Sequence, residues 1–281
     1  MIPSSKAYFH YTTEQGLIGI ITSSSLWATD ALFLNDATEI ELAHDLLKER
    51  VTRKRKARLS SFQRDSLTAL TEAVASAAFY TRTYVSCLSA KFDDLSQWRA
   101  YSGAANGYLI GLDFTRFSIL CRSKGWQFGP CIYDEDAQVE KVDQFIELYL
   151  SSLEGYFPYF GPGEINGGLL DRRSNARARE FVSRIAPFYK HKAFRAESEW
   201  RVARLDDSRT TQPLFRSTGL GITPYVPLDL PVSSDLISTI MLRSQTQKIL
   251  AEEGLGRFLE SHGLQRGIIS LSDLPYRSTM G

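Results

Sequence analysis

Glu197-Ser198-Glu199-Trp200-Arg201-Val202-Ala203-Arg204-Leu205 is the stretch of this 281-residue chain that decides how the rest is read. Its alternation predicts a strand, because successive side chains of a strand point to opposite faces. Trp200 and Val202 then share an apolar face. Glu197, Glu199 and Arg201 share the other, with the two carboxylates about 7 Å apart. Neighbouring carboxylates repel and their pKa values split, and an adjacent guanidinium keeps Glu199 ionised. An ionised, oriented carboxylate suits a developing positive charge, such as a sugar carbon losing its leaving group. The same pattern also suits a surface Glu–Arg pair on an exposed sheet face, worth about 0–1 kcal/mol.

Working outward, further strands are predicted toward the C-terminus at 223–228, 236–242 and 267–271, alternating with one helix that Ser244 and Gln247 start and that carries Ile249, Leu250, Phe258 and Leu259. Toward the N-terminus, 84–89, 107–114 and 126–133 read as strands from their β-forming residues. Residues 8–11 and 26–29 read as two more. Thr12, with Gln15 three residues on, has the form of a capping box. Asp36 with Glu39 reads as a second helix start, with Ile40, Ala43 and Leu47 on one face. Leu67, Leu70, Val74 and Ala77 mark a helix over 61–80. Leu95, Trp98 and Tyr101 mark a short one after Asp93-Asp94, and Val139 to Leu153 a long amphipathic one. Phe181, Ile185 and Phe188 define another before Lys190, and the Pro- and Gly-rich segment 156–163 reads as a loop. Helices dominate the first half and strands the second. The expectation is a single α+β domain over 1–281, with a helical insertion at about 36–80.

Composition narrows the function classes. Basic and acidic residues number 33 and 32, so net charge makes no case for a nucleic-acid or membrane partner. Six of the nine residues from Arg50 to Arg58 are basic; the run suits a solvated helix end or a local nucleic-acid contact. Three cysteines, Cys87, Cys121 and Cys131, form no C-x-x-C pair and suit a reducing compartment. With no signal-peptide core and no long apolar run, the expectation is a soluble, cytoplasmic protein without membrane association. Phosphate-binding Gly-rich loops, zinc-ligand spacings and the G-x-S-x-G elbow are absent from the sequence.

Outside the Glu197–Arg201 stretch, three places hold candidate chemistry. His10, one of four histidines, ends the first strand, where it serves either the fold or a ligand hydroxyl, with Tyr11 and Thr12 adding polar contacts. Trp98 and Tyr101 lie on one helical face and serve either as core or as an aromatic wall for a flat ring. Asn35, Asp36, Thr38 and Glu39 cap a helix or line a pocket.

Tyr8-Phe9-His10-Tyr11-Thr12, Phe33-Leu34-Asn35-Asp36 with Glu39, Val85-Ser86-Cys87-Leu88-Ser89, Ser96-Gln97-Trp98 with Tyr101 and Gly107, Glu197 to Arg201, and Ser272-Asp273-Leu274-Pro275-Tyr276-Arg277 occur in that order. The ordered set resembles the bacterial domain-of-unknown-function family 2971. Met241-Leu242-Arg243-Ser244 departs from that family's Ile-rich strand ending in Gly-Pro. A His on the first strand, serines and aromatics in the middle and a late Glu-x-Glu also resemble the ADP-ribosyltransferase superfold. That resemblance implies split antiparallel β-sheets with surrounding helices and NAD as substrate. It implies that His10 anchors a ribose and that Tyr11, Thr12, Ser89 and Arg201 help to bind NAD. Trp98 or Tyr101 then stacks on nicotinamide, Glu199 stabilises the oxocarbenium-like transition state, and Glu197 orients the acceptor, a protein or nucleic acid. A toxin or phage-defence role with an antitoxin or immunity partner follows from the same resemblance. Two other readings stand beside it. One is a metal-dependent nuclease or hydrolase using Asp36, Glu39, Glu197 and Glu199; the other is a non-catalytic binding module.

Overall fold

In the computed structural model, residues 7–34, 38–80, 82–102, 106–154, 167–206, 212–219, 221–244 and 247–274 are described. The strands are β1 (Ala7–Thr13), β2 (Ser25–Asp30), β3 (Arg82–Ser89), β4 (Asn106–Asp113), β5 (Gln127–Pro130), β6 (Glu199–Asp206), β7 (Leu214–Thr218), β8 (Gly221–Asp229), β9 (Ile237–Ser244) and β10 (Ile269–Leu271). The helices are α1 (Glu14–Ser23), α2 (Thr38–Arg55), α3 (Ser61–Tyr80), α4 (Leu95–Tyr101), α5 (Phe114–Ser123), α6 (Glu135–Glu154), α7 (Gly167–Glu180) and α8 (Lys248–Ser261). This is an α+β arrangement with one large, mostly antiparallel sheet; β10 beside β9 is the parallel pair.

Strand β3 organises the sheet. One of its edges pairs along the whole strand with β6, from Arg82↔Asp206 to Ser89↔Glu199. The other edge is divided. β1 meets it at Phe9↔Ser89, and β2 meets it at Thr29↔Val85 and Asp30↔Tyr84. From β1 the sheet continues through β4 and β9 to β10, and from β2 through β8 to β7. The edge at Ser86, Cys87 and Leu88 therefore faces a gap between the two wings.

Alternation along the strands fills two cores. Tyr8, Leu26, Tyr84, Leu88, Ile110 and Val202 pack with Leu17 and Ile21 of α1, Phe117 of α5 and Leu259 of α8. The second core is helical and joins Leu47 and Val51 of α2, Leu67 and Leu70 of α3, Val142, Ile146 and Tyr149 of α6, and Phe181. The insertion expected at 36–80 is thus half of a helical layer that residues 135–189 complete. The layer is tied by polar contacts across the sequence. The Arg50 guanidinium donates twice to Asp143, at 2.8 and 2.6 Å, and the Tyr149 hydroxyl donates to the Ser66 carbonyl at 3.0 Å. Arg53 pairs with Glu49, and Lys54 with Glu147. Two of the six basic residues of the run, Arg50 and Lys54, therefore tie α2 to α6, while Arg53 pairs within α2. Among the described residues no helix is long and apolar enough to cross a membrane.

Several boundaries differ from the sequence reading. Thr13, not Thr12, caps α1, with its hydroxyl accepting from the Gly16 amide at 3.2 Å. Strand β7 was not anticipated, and the helix over 181–188 is a π-helical turn followed by a 3-10 turn. Strand β6 begins at Glu199 rather than Glu197. The Asp36 helix start, the 156–163 loop and Pro275-Tyr276-Arg277 lie outside the described residues.

Helix α4 lies close against β4, and Gly107 permits the approach. A Cβ there stands 2.3 Å from Ser102 Cβ and 3.0 Å from the Trp98 ring. Gly107→Ala is expected to lower unfolding free energy by about 1–3 kcal/mol in urea titrations, because a buried strand and a buried indole must both shift. An unchanged midpoint refutes that packing.

Candidate functional site

The wall of the site comes from the β3–β6 ladder. Val85, Cys87 and Ser89 share a face of β3 with Glu199, Arg201 and Ala203 of β6, and Cys87 pairs directly with Arg201. Trp200 points the other way and packs on Tyr8, with ring centroids 4.2 Å apart. The expected alternation therefore holds for Glu199, Trp200 and Arg201. It does not hold for Glu197, which ends a 3-10 turn (Lys192–Glu197). Ser198, in the left-handed region at φ 47°, then turns the chain into β6. Glu197 reaches the cleft through that turn and not through strand periodicity. Its carbonyl accepts from the Ser89 hydroxyl at 2.7 Å, and that hydroxyl accepts from the Lys91 amide at 3.1 Å. Ser89 is thus a brace for the turn.

Glu199 and Arg201 are 5% and 2% exposed, so the surface-pair alternative does not describe them. Arg201 Nε donates to Glu199 Oε1 at 2.8 Å, Nη2 to Oε2 at 3.2 Å, and Nη1 to the Pro187 carbonyl at 2.7 Å. Lys190, which the sequence reading did not place in the site, is equally buried. Its ammonium donates to Glu199 Oε2 and, at 2.6 Å, to Glu197 Oε2. The Cys87 thiol lies nearby and also favours the ionised carboxylate. Of the roughly four lone-pair sites that a carboxylate offers, Arg201 and Lys190 occupy three. Burial raises the Glu199 pKa, but Arg201, then Lys190 and Cys87, outweigh it and hold the carboxyl at about 2. Burial first, and then the Glu199 charge, push the Cys87 thiol well above its ordinary value, so it is no thiolate nucleophile at neutral pH.

Lys190 is delivered by the helical layer. The Gln138 side-chain amide at the start of α6 donates to the carbonyls of Ile132, at 2.6 Å, and Lys190, at 3.0 Å. The Lys190 amide donates back to Ile132 at 3.2 Å. The side chain then runs over the Phe194 ring toward the two glutamates.

His10 sits at the gap in the β3 edge. Its Nδ1 donates to the Cys87 carbonyl at 2.9 Å, since a carbonyl only accepts. Burial, and after it the Arg216 charge, lower the imidazole pKa, so the ring is neutral at pH 7. Nδ1 then carries the proton and Nε2 is an acceptor. The Tyr101 phenol is pushed up by burial and by the neighbouring Glu197 and Glu199 charges, so it stays protonated.

Two connected cavities meet on this wall. The smaller, about 570 Å³, fills the gap between the wings and is lined by His10, Thr12, Ser86, Tyr101, Glu197 and Glu199 among others. The larger, about 1050 Å³, extends toward α2 and adds Glu41, Asp45, Lys190, Arg201 and Phe194. Cys87, Tyr101, Glu197, Glu199 and Arg216 border both. The smaller lobe alone is of ordinary size for a small-molecule site.

The sequence-derived set is therefore only partly brought together. His10, Thr12, Ser89, Tyr101, Glu197 and Glu199 line one lobe, and Arg201 the other. Trp98 is corrected: it is fully buried with Phe9, Tyr11 and Leu109, its indole N–H donates to Asp93 at 2.8 Å, and it lines neither cavity. Tyr11 reaches the smaller lobe with its ring, but its hydroxyl is committed, donating to the Lys91 carbonyl at 2.8 Å and accepting from the Asp94 amide at 2.9 Å. Asp36 and the Glu39 side chain lie outside the described residues. Among the described residues no group of three or more His, Cys, Asp or Glu side chains is placed to hold a metal ion.

Residues 97–202 match the model of a family described as protein of unknown function (DUF2971). The match agrees with the resemblance drawn from the sequence and takes in Tyr101, Lys190, Glu197, Glu199 and Arg201; His10 lies outside it. No curated protein and no solved structure matches the chain.

The buried carboxylate carries a pH signature. A folded-state pKa depressed to about 2, from 4.5, means that the stability Glu199 contributes is fully present above pH 4.5. It is lost as pH falls from 4.5 toward 2. Glu199→Gln, which leaves Arg201 and Lys190 facing a neutral amide, is expected to cost about 3–5 kcal/mol at pH 7. The gap to wild type should narrow below pH 4.5 in urea titrations; a gap independent of pH contradicts the assignment.

Proposed function

We propose that this chain binds NAD in the cleft at the divided edge of β3 and breaks the bond between nicotinamide and ribose, as an ADP-ribosyltransferase-like or NAD-cleaving protein. The observation that carries this reading is the convergence of His10, Tyr101, Glu197 and Glu199 on one lobe of about 570 Å³. They come from strand β1, helix α4 and the turn into β6, and the gap between the wings is where they meet.

The protonation states suit the chemistry. Neutral His10, with Nε2 as acceptor, takes a hydrogen bond from a ribose hydroxyl. The protonated Tyr101 phenol is a donor, and its ring is a surface for the nicotinamide in the role that Trp98 is too buried to take. When the glycosidic bond breaks, its electron pair leaves with the pyridinium nitrogen and neutralises it, while positive charge develops at the ribose carbon. A carboxylate near that carbon lowers the barrier. Glu199 is buried and takes three hydrogen bonds from Arg201 and Lys190, whereas Glu197 has Lys190 as its partner and a side chain 23% exposed. Glu197 is thus the carboxylate that faces substrate, and Glu199 holds Lys190 and Arg201 in place. This exchanges the roles that the superfold resemblance implies. Water, or a protein or nucleic-acid group entering from the larger lobe, then adds to the ribose carbon and loses its proton. A toxin or phage-defence role with an immunity partner is the setting that the resemblance suggests.

Purified protein is expected to release nicotinamide from NAD, measured by chromatography. Glu197→Gln should slow release by about 10²–10³-fold while the protein still melts cooperatively, since one preorganised electrostatic group is commonly worth that much. His10→Ala should act mainly on KM. Wild-type protein that leaves NAD intact with protein, nucleic-acid and water acceptors all supplied would sink this reading.

A further inference from the structure

The smaller lobe contains a cation that neither the sequence reading nor the reaction outlined above uses. Arg216, on the cleft face of β7, borders both cavities. Its Nη2 donates to Thr29 Oγ1 at 2.6 Å, and its guanidinium lies 5.5 and 5.7 Å from the Trp27 and Tyr225 ring centroids. Two aromatic faces and one hydroxyl thus fix the plane of the fork. The buried Nε has no hydrogen-bond partner among the described residues, and no ion pair there reaches the guanidinium. Every other cation at the wall is compensated: Lys190 by Glu197 and Glu199, and Arg201 by Glu199. Burial lowers the Arg216 pKa, as expected of a desolvated guanidinium without a counter-ion. Buried charges are as a rule paired, so an oriented, unpaired guanidinium at a cavity wall indicates a missing anion.

Arg216 also lies near enough to His10 for its charge to disfavour the imidazolium, so the guanidinium and the His10 ring border one lobe.

We propose that the His10 lobe is a phosphate site, in which the phosphate or pyrophosphate of a nucleotide pairs with the Arg216 guanidinium. The proposal rests on the preceding reading for the identity of the nucleotide as NAD, and on Arg216 alone for the requirement that the ligand be a phosphate ester. The fork geometry matches phosphate oxygens in a way that a lysine does not.

The test is calorimetry on the full chain with ADP, adenosine and inorganic pyrophosphate at low and moderate salt. ADP is expected to bind at least about tenfold more tightly than adenosine, to weaken as salt rises, and to be displaced by pyrophosphate. Arg216→Met should reduce ADP affinity by about 10–100-fold and leave adenosine unchanged; Arg216→Lys should recover part of the loss. Because Arg216→Met removes an uncompensated, partly buried charge, its melting temperature should equal or exceed that of wild type. Equal affinity for ADP and adenosine, full ADP affinity in Arg216→Met, or a melting temperature several degrees lower in that variant each overturns the proposal. Arg216-dependent ADP binding without nicotinamide release leaves the phosphate site standing and removes NAD cleavage. Nicotinamide release that is indifferent to Arg216→Met does the reverse.

Discussion

Strand β3 has one complete edge and one divided edge, and the site exists because of the second. A backbone carbonyl buried away from water must find a donor. Where β1 and β2 diverge, no strand reaches the carbonyl of Cys87, and His10 supplies the hydrogen bond through Nδ1. That bond settles the tautomer of the ring and leaves Nε2 as an acceptor. The same gap opens the smaller lobe. Sheet topology thus creates space and an oriented acceptor in one place.

The opposite wall obeys a different constraint, charge balance in a poorly hydrated site. Glu197 and Glu199 bring two negative charges, and Lys190 and Arg201 bring two positive ones. The cluster is neutral as a unit, which makes its burial tolerable. Its internal distribution is uneven. Glu199 is enclosed by donors, while Glu197 retains access to the cleft. A carboxylate with a pKa near 2 is a firm electrostatic anchor and a poor base.

Much of the fold was legible because its elements are long and regular. Helix 61–80 and the strands at 84–89 and 107–114 were anticipated within a residue or two. The opposite faces of Trp200 and Arg201 followed from strand alternation alone. What could not be read was anything set by irregular backbone. Glu197 faces the cleft because Ser198 adopts a left-handed conformation, which a period of two does not foresee. Lys190 follows a π-helical turn and a 3-10 turn, and its direction depends on Gln138, 52 residues away. Strand β7 left a signal that went unread: Leu214 to Thr218 and Ile222 to Leu228 flank a turn with glycines at 219 and 221. Trp98 was ambiguous by nature, since helical spacing is the same for a core indole and a ligand wall.

The helical layer that carries Lys190 has a kinetic consequence. It joins α2 and α3 to α6 and α7 across the whole middle of the chain, with Arg50 and Asp143 separated by 93 positions. The β3–β6 ladder closes a longer loop still, from Ser89 to Glu199, and that loop contains α6, α7 and Lys190. Contacts of such separation form late, because the loop entropy must be met before they contribute. Glu199 and Arg201 are neighbours within one strand, whereas Lys190 reaches them only when the ladder has closed and the helical layer has docked. The electrostatics of the cleft are therefore a product of the complete fold and not of any one of its parts.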